Sequence, residues 1–127
     1  MEVHEIIAKI AETEKALFIA SRNHNPAEIS DQMMLLSGYT SALDKALGDA
    51  EQEFEIKWAN TYKELRSGDK PMSATAASNE ADMLSAEDKG NIKRLSRYVA
   101  SSWKNHTSAM ARINHLNAEW NGNAKNG

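Results

Sequence analysis

The side chains best suited to chemistry in this sequence are cations gathered in one stretch. Residues 89–118 carry Lys89, Lys93, Arg94, Arg97, Lys104 and Arg112 and no acid, whereas residues 1–88 hold 17 acids against 8 bases. Segregated positive charge suits a phosphate backbone, because each cation placed on a phosphate releases condensed counterions. Tyr98 and Trp103 stand among these cations, and rings interleaved with basic side chains are what the bases of a single strand stack on. Lys57, Lys63, Arg66 and Lys70 add a second basic run. The plain alternative is that the basic segment pairs with the acidic remainder of the chain. A net charge of -3 and a pI of about 5.8 favour that alternative for a lone chain. Several copies joined in one assembly would let weak basic patches act together on one strand.

Other chemistry finds little support. There is no phosphate-binding glycine loop, dinucleotide fingerprint, Gly-x-Ser-x-Gly or His-Glu-x-x-His, so neither catalytic residues nor a cofactor are expected. No cysteine is present, which removes disulfides, thiolate nucleophiles and thiolate metal sites and fits a reducing compartment. The four histidines do not cluster, and His106 falls on an apolar seam, where a hydrogen-bonded core or interface role competes with a metal ligand or proton switch. Glu51, Glu53 and Glu55 are dense in sequence, but alternate residues of a helix point apart and cannot converge on one ion. No metal site is expected, and these acids read as a solvated face.

The elements that must carry these groups are helices. Val3, Ile6, Ile7, Ile10, Leu17 and Ala20 recur at helical spacing, predicting an amphipathic helix of about 20 residues that ends in the polar run Ser21–His24. Asn25 can cap a second helix, with Pro26 at its first position and Glu28 reaching back in a capping box. Its stripe runs through Ile29, Met33, Leu36, Thr40, Leu43, Leu47, Ala50 and Phe54 in steps of four and three. It continues, displaced by one position, through Trp58, Tyr62 and Leu65. From Pro26 to Arg66 such a helix would be about 60 Å long. Gly68 and Pro71 stop it. Ser73 caps a short helix over Ala74–Leu84, and Ser85 can cap the last one, whose seam is Ile92, Leu95, Val99, Ser102, His106, Ala109, Ile113, Leu116 and Trp120. Asn121-Gly122-Asn123 is expected to end it.

The expected fold is therefore all-α. Two long helices form an antiparallel, coiled-coil-like hairpin, with an additional N-terminal helix and a short helix in the connecting loop. Residues 1–121 read as a single helical domain and residues 122–127 as a polar, disordered tail. A hairpin of this length leaves apolar surface over, so the chain is expected to assemble as a homo-oligomer with Ile6, Ile10, Leu17, Met33, Met34 and Trp58 between subunits. No apolar run is long enough to span a bilayer and no targeting segment is evident, so the expected location is the cytoplasm, without a membrane partner or a small-molecule substrate.

The stretch from Lys57 to Trp120 resembles the UvsY-like recombination mediators of T-even bacteriophages. The likeness is carried by Tyr62, Arg66-Ser67-Gly68-Asp69, Ser73, Asn79-Glu80, Leu84-Ser85-Ala86-Glu87-Asp88-Lys89 and the long final segment. It covers about half of the chain. It implies a ring-forming helical protein of the host-cell cytoplasm that binds single-stranded DNA and helps load a recombinase onto strand coated by single-strand-binding protein. Such mediators associate DNA binding with a Lys-x-Arg pair late in the long helix. Here Lys57-Trp58-Ala59 keeps the lysine and replaces the arginine, which implies weaker DNA binding. The acidic excess of residues 1–88 motivates a second expectation, a non-enzymatic phage protein that mimics nucleic acid and blocks a host nuclease or defence complex.

Overall fold

The computed structural model describes residues 1–126, of which residues 123–126 are described by their backbone. Four helices account for it: α1 (Val3–Arg22), α2 (Pro26–Arg66), α3 (Ala74–Leu84) and α4 (Ala86–Asn126). No strand occurs among the described residues, and the chain is all-α as its periodicity predicts. No described helix is long and apolar enough to cross a membrane.

Local chemistry explains most helix ends. The chain leaves α1 through Asn23 and His24, the latter with φ 51°, a left-handed conformation that reverses the backbone. The Asn25 side chain accepts a hydrogen bond from the Glu28 N–H at 3.1 Å, the expected cap of α2. The capping box does not form, because the Asn25 N–H is already donated to the Ala20 carbonyl and the Glu28 carboxylate accepts from Gln32 at 3.0 Å. Gly68 takes φ 101°, a region closed to most side chains, and lets the chain leave α2. Ser73 caps α3 by accepting from the Ala76 N–H at 3.2 Å. Ser85 departs from expectation: its hydroxyl turns back to donate to the Ala81 carbonyl of α3 and is buried there instead of capping α4. The expected stop at Asn121–Asn123 is also corrected. The α4 backbone continues through Gly122 to Asn126, so most of the stretch read as a tail is helical, and Gly127 lies outside the described residues.

The chain divides into two compact units. The first joins residues 1–44 with residues 97–127. Three helical segments share its core, with Ile6, Ile10, Leu17 and Ala20 from α1, Ile29, Leu36 and Leu43 from α2, and Val99, Ala109 and Leu116 from α4. Within this unit Thr40 meets Ser102, while Ile29 shares a depression with Ala109, so contacts between the α2 and α4 segments run in reverse numerical order. Polar groups close the edges: Asn105 donates to the Glu14 carboxylate, and the Arg112 guanidinium lies 2.8 Å from His24 Nδ1. Since His24 and the start of α2 lie level with Arg112, α4 outruns both neighbours. Trp120, expected on the seam, is 73% exposed for that reason, and Leu116 is the last buried seam residue.

The second unit is residues 45–96: the rest of α2, the connection, α3 and the start of α4. Its buried residues are Leu47, Ala77, Ala81 and Ser85. Phe54, Trp58, Ile92 and Leu95 are half-buried around them. Alanines at the centre of α3 let that short helix sit close to its neighbours.

Candidate nucleic-acid interface

The basic residues divide between the two units. Lys57, Lys63, Arg66, Lys70, Lys89, Lys93 and Arg94 belong to the second, and Arg97, Tyr98, Trp103 and Lys104 to the first. All nine cations have exposed side chains, which follows from their places on the outer faces of α2 and α4 or in the Gly68 connection.

In the second unit one cation is held across helices. Lys57 Nζ lies 2.7 Å from Asp88 Oδ2 and donates a hydrogen bond to it. That bond and then the charge of Asp88 raise the Lys57 ammonium above its ordinary value of 10.5, against a small opposing effect of burial. The Arg66 guanidinium donates to the Met72 carbonyl at 3.1 Å and ties the connection to the end of α2. Lys89 lines a groove of about 300 Å³ with Phe54, Glu55, Trp58 and Asp82.

The remaining ion pairs among the described residues are Lys9–Glu12, within one helix, and His115–Glu119, which is one only when the histidine is protonated. Lys63, Lys70, Lys89, Lys93, Arg94, Arg97 and Lys104 form no ion pair among the described residues. The expected alternative, the basic segment paired with the acidic remainder, does not take the form of ion pairs: no lysine or arginine of residues 89–118 forms one among the described residues, and Lys57 and Asp88 both lie within residues 1–88. Glu51, Glu53 and Glu55 are exposed as expected and likewise unpaired among the described residues. No group of three or more histidine or carboxylate residues that could hold a metal ion occurs among the described residues.

The aromatic residues are placed differently from expectation. Tyr98 is 44% exposed and open to a ligand, but Trp103 is half-buried with its ring edge-on to His106 at 5.6 Å. No hydrogen bond to the His106 ring occurs among the described residues, so the hydrogen-bonded role expected for it on the seam is not seen; its ring meets that of Trp103 edge-on. Trp58, expected between subunits, stacks on Tyr62 with ring centres 5.3 Å apart and planes 8° apart. Its indole N–H donates to Asp82 at 2.9 Å. The pair was legible as aromatic residues four apart on one helix face; the Asp82 bond was not, since α3 delivers it.

Three further residues expected at the oligomer interface need correction. Ile6, Ile10 and Leu17 are buried within their own chain, because α1 packs in the first unit. Met33 is half-buried there too, whereas Met34 is 71% exposed.

Comparison with known protein families, with curated proteins and with solved structures yields no match to this chain. The resemblance to recombination mediators therefore rests on the residues of the 57–120 stretch alone.

Proposed function

We propose that this chain is a non-enzymatic, phage-type recombination mediator that binds single-stranded DNA as a homo-oligomer and helps load a recombinase onto strand coated by single-strand-binding protein in the host cytoplasm. One observation carries the reading: Lys89, Lys93, Arg94, Arg97 and Lys104 of α4 and Lys70 of the Gly68 connection are exposed and without carboxylate partners among the described residues, in a chain that has more acids than bases. Unpaired cations keep their full charge for a phosphate, and each phosphate contact releases counterions. Lys63, Lys89, Lys93 and Arg94 are the phosphate ligands within the second unit, and Tyr98 offers a free ring to a base. In this reading α2 and α4 act as the arms of one antiparallel hairpin. The reverse order of contacts in the first unit, Thr40 with Ser102 and Ile29 beside Ala109, supports that arrangement there, and Lys57 with Asp88 joins the same two helices in the second.

Anisotropy of a labelled oligo-dT strand, followed at several salt concentrations with light scattering on the same sample, tests the proposal. Binding by a defined oligomer that weakens steeply with salt is expected, as is a loss on Lys93→Glu. Binding that is absent, or indifferent to salt, overturns it.

The exposed Glu51, Glu53 and Glu55 favour one other reading, an interaction module whose acidic face imitates nucleic acid toward a host nuclease or defence complex. Under it oligo-dT is ignored, and reversing these three charges releases the protein partner.

A further inference from the structure

The outward face of α2 carries a pattern that its own chain does not use. Gly38 lies in the interior of a long helix, where glycine is less stable than alanine. A Cβ built on Gly38 meets no atom within 4 Å, so nothing in the chain excludes a side chain there. Around it the surface is apolar: Met34 is 71% exposed and Leu35 49% exposed. Both line a shallow depression of about 390 Å³ with Met1, Tyr39 and Ala42.

Positions on this face are complementary to themselves when reversed. Seven residues fall about 20° short of two helical turns, so Asp31 and Lys45, each seven residues from Gly38 on the same helix, flank it on one face. The two large exposed apolar residues precede Gly38 by four and three positions. Two small ones, Ser41 and Ala42, follow it by three and four. If a second α2 lies antiparallel with Gly38 opposite Gly38, Met34 and Leu35 of each copy cover Ser41 and Ala42 of the other. Asp31 then meets Lys45 twice. In a parallel pair, large meets large and Asp31 meets Asp31.

We infer that α2 is a homodimerisation helix, pairing antiparallel with a second copy about a twofold axis at Gly38. This isologous contact specifies one interface of the oligomer proposed above and rests on that reading. Absence of the Gly38 side chain lets the two backbones approach at the crossing, and the charge pairs set register and direction.

The cysteine-free sequence permits a direct test on the full chain. Met34→Cys and Ser41→Cys proteins are prepared separately, and each alone and an equal mixture are exposed to mild oxidation. Cross-linking is expected in the mixture and not in either protein alone. Sedimentation measures association in parallel. Asp31→Lys should weaken it about tenfold or more by opposing like charges, and adding Lys45→Asp should restore it. Gly38→Ala should raise the melting temperature at low concentration while weakening association. A wild-type chain that stays monomeric at every concentration removes the oligomer reading and this inference together. An oligomer that neither cross-links in the mixture nor responds to Asp31→Lys overturns the inference alone.

Discussion

Thr40 and Ser102 meet hydroxyl to hydroxyl in the otherwise apolar centre of the first unit, one from α2 and one from α4, and both side chains are fully buried. The direction of the bond follows from proton count. Thr40 donates its only hydroxyl proton to the Leu36 carbonyl at 2.7 Å, so Ser102 must donate to Thr40. A polar pair inside an apolar seam is satisfied in one register only, which makes it a device for fixing how the two segments align.

That direction predicts unequal substitutions. Thr40→Val removes the acceptor of a buried hydroxyl and should cost about 1–3 kcal/mol in urea unfolding. Ser102→Ala leaves Thr40 bonded to Leu36 and should cost less. The double variant should be no worse than Thr40→Val. A larger cost for Ser102→Ala than for Thr40→Val would show that the proton runs the other way.

Lys57 and Asp88 make a second cross-helix contact, and its pH dependence has a definite sign. The ammonium is raised above 10.5 by the hydrogen bond and charge of Asp88. Its contribution is therefore full below pH 10.5 and is lost as pH rises through the higher folded value. An NMR titration of the Lys57 side chain should show its midpoint fall in Asp88→Asn. The same variant frees the lysine to join Lys63, Lys89, Lys93 and Arg94 on phosphate, so oligo-dT binding should tighten; unchanged affinity would show that Lys57 makes no DNA contact even when freed.

Burial along the seams separates costly positions from neutral ones. Leu36 is fully buried, and Leu36→Ala should destabilise by about 2–5 kcal/mol through the cavity it leaves. Trp120 shares the seam spacing of α4 but is exposed, so Trp120→Ala should change stability by no more than about 0.5 kcal/mol. Thermal melts of the two variants check both values.

Glycines of α2 and of the connection after it should respond with opposite signs. Gly68→Ala forces a side chain into φ 101° and should cost about 1 kcal/mol or more. Gly48→Ala, helical and with nothing within 4 Å of the added Cβ, should gain about 0.5–1 kcal/mol. Chemical denaturation of both variants tests the contrast.

The sequence by itself determined the helices. The bounds of α1, α2 and α3 follow from apolar spacing, from Asn25 and Ser73 as caps and from Gly68 as a stop, because these depend on groups within a turn or two of one another. The seam through Ile29, Leu36, Thr40 and Leu43 was legible for the same reason. The extension of α4 past Gly122 was not, since a glycine weakens a helix without obliging it to end.

Only the tertiary structure decided which surfaces remain free. Ile6, Ile10 and Leu17 have the spacing of an interface and of a core alike, and the packing of α1 in its own unit made them core. Trp58 could have faced a partner until α3 brought Asp82 to its indole. Segregated charge is visible along the chain, but whether a cation is neutralised depends on a carboxylate within a few ångströms in space. The fold supplies one to Lys57, and among the described residues it supplies none to Lys63, Lys89, Lys93 or Arg94. A contact range of that length cannot be read from positions tens of residues apart, which is why the sequence marked the basic residues and the fold selected among them.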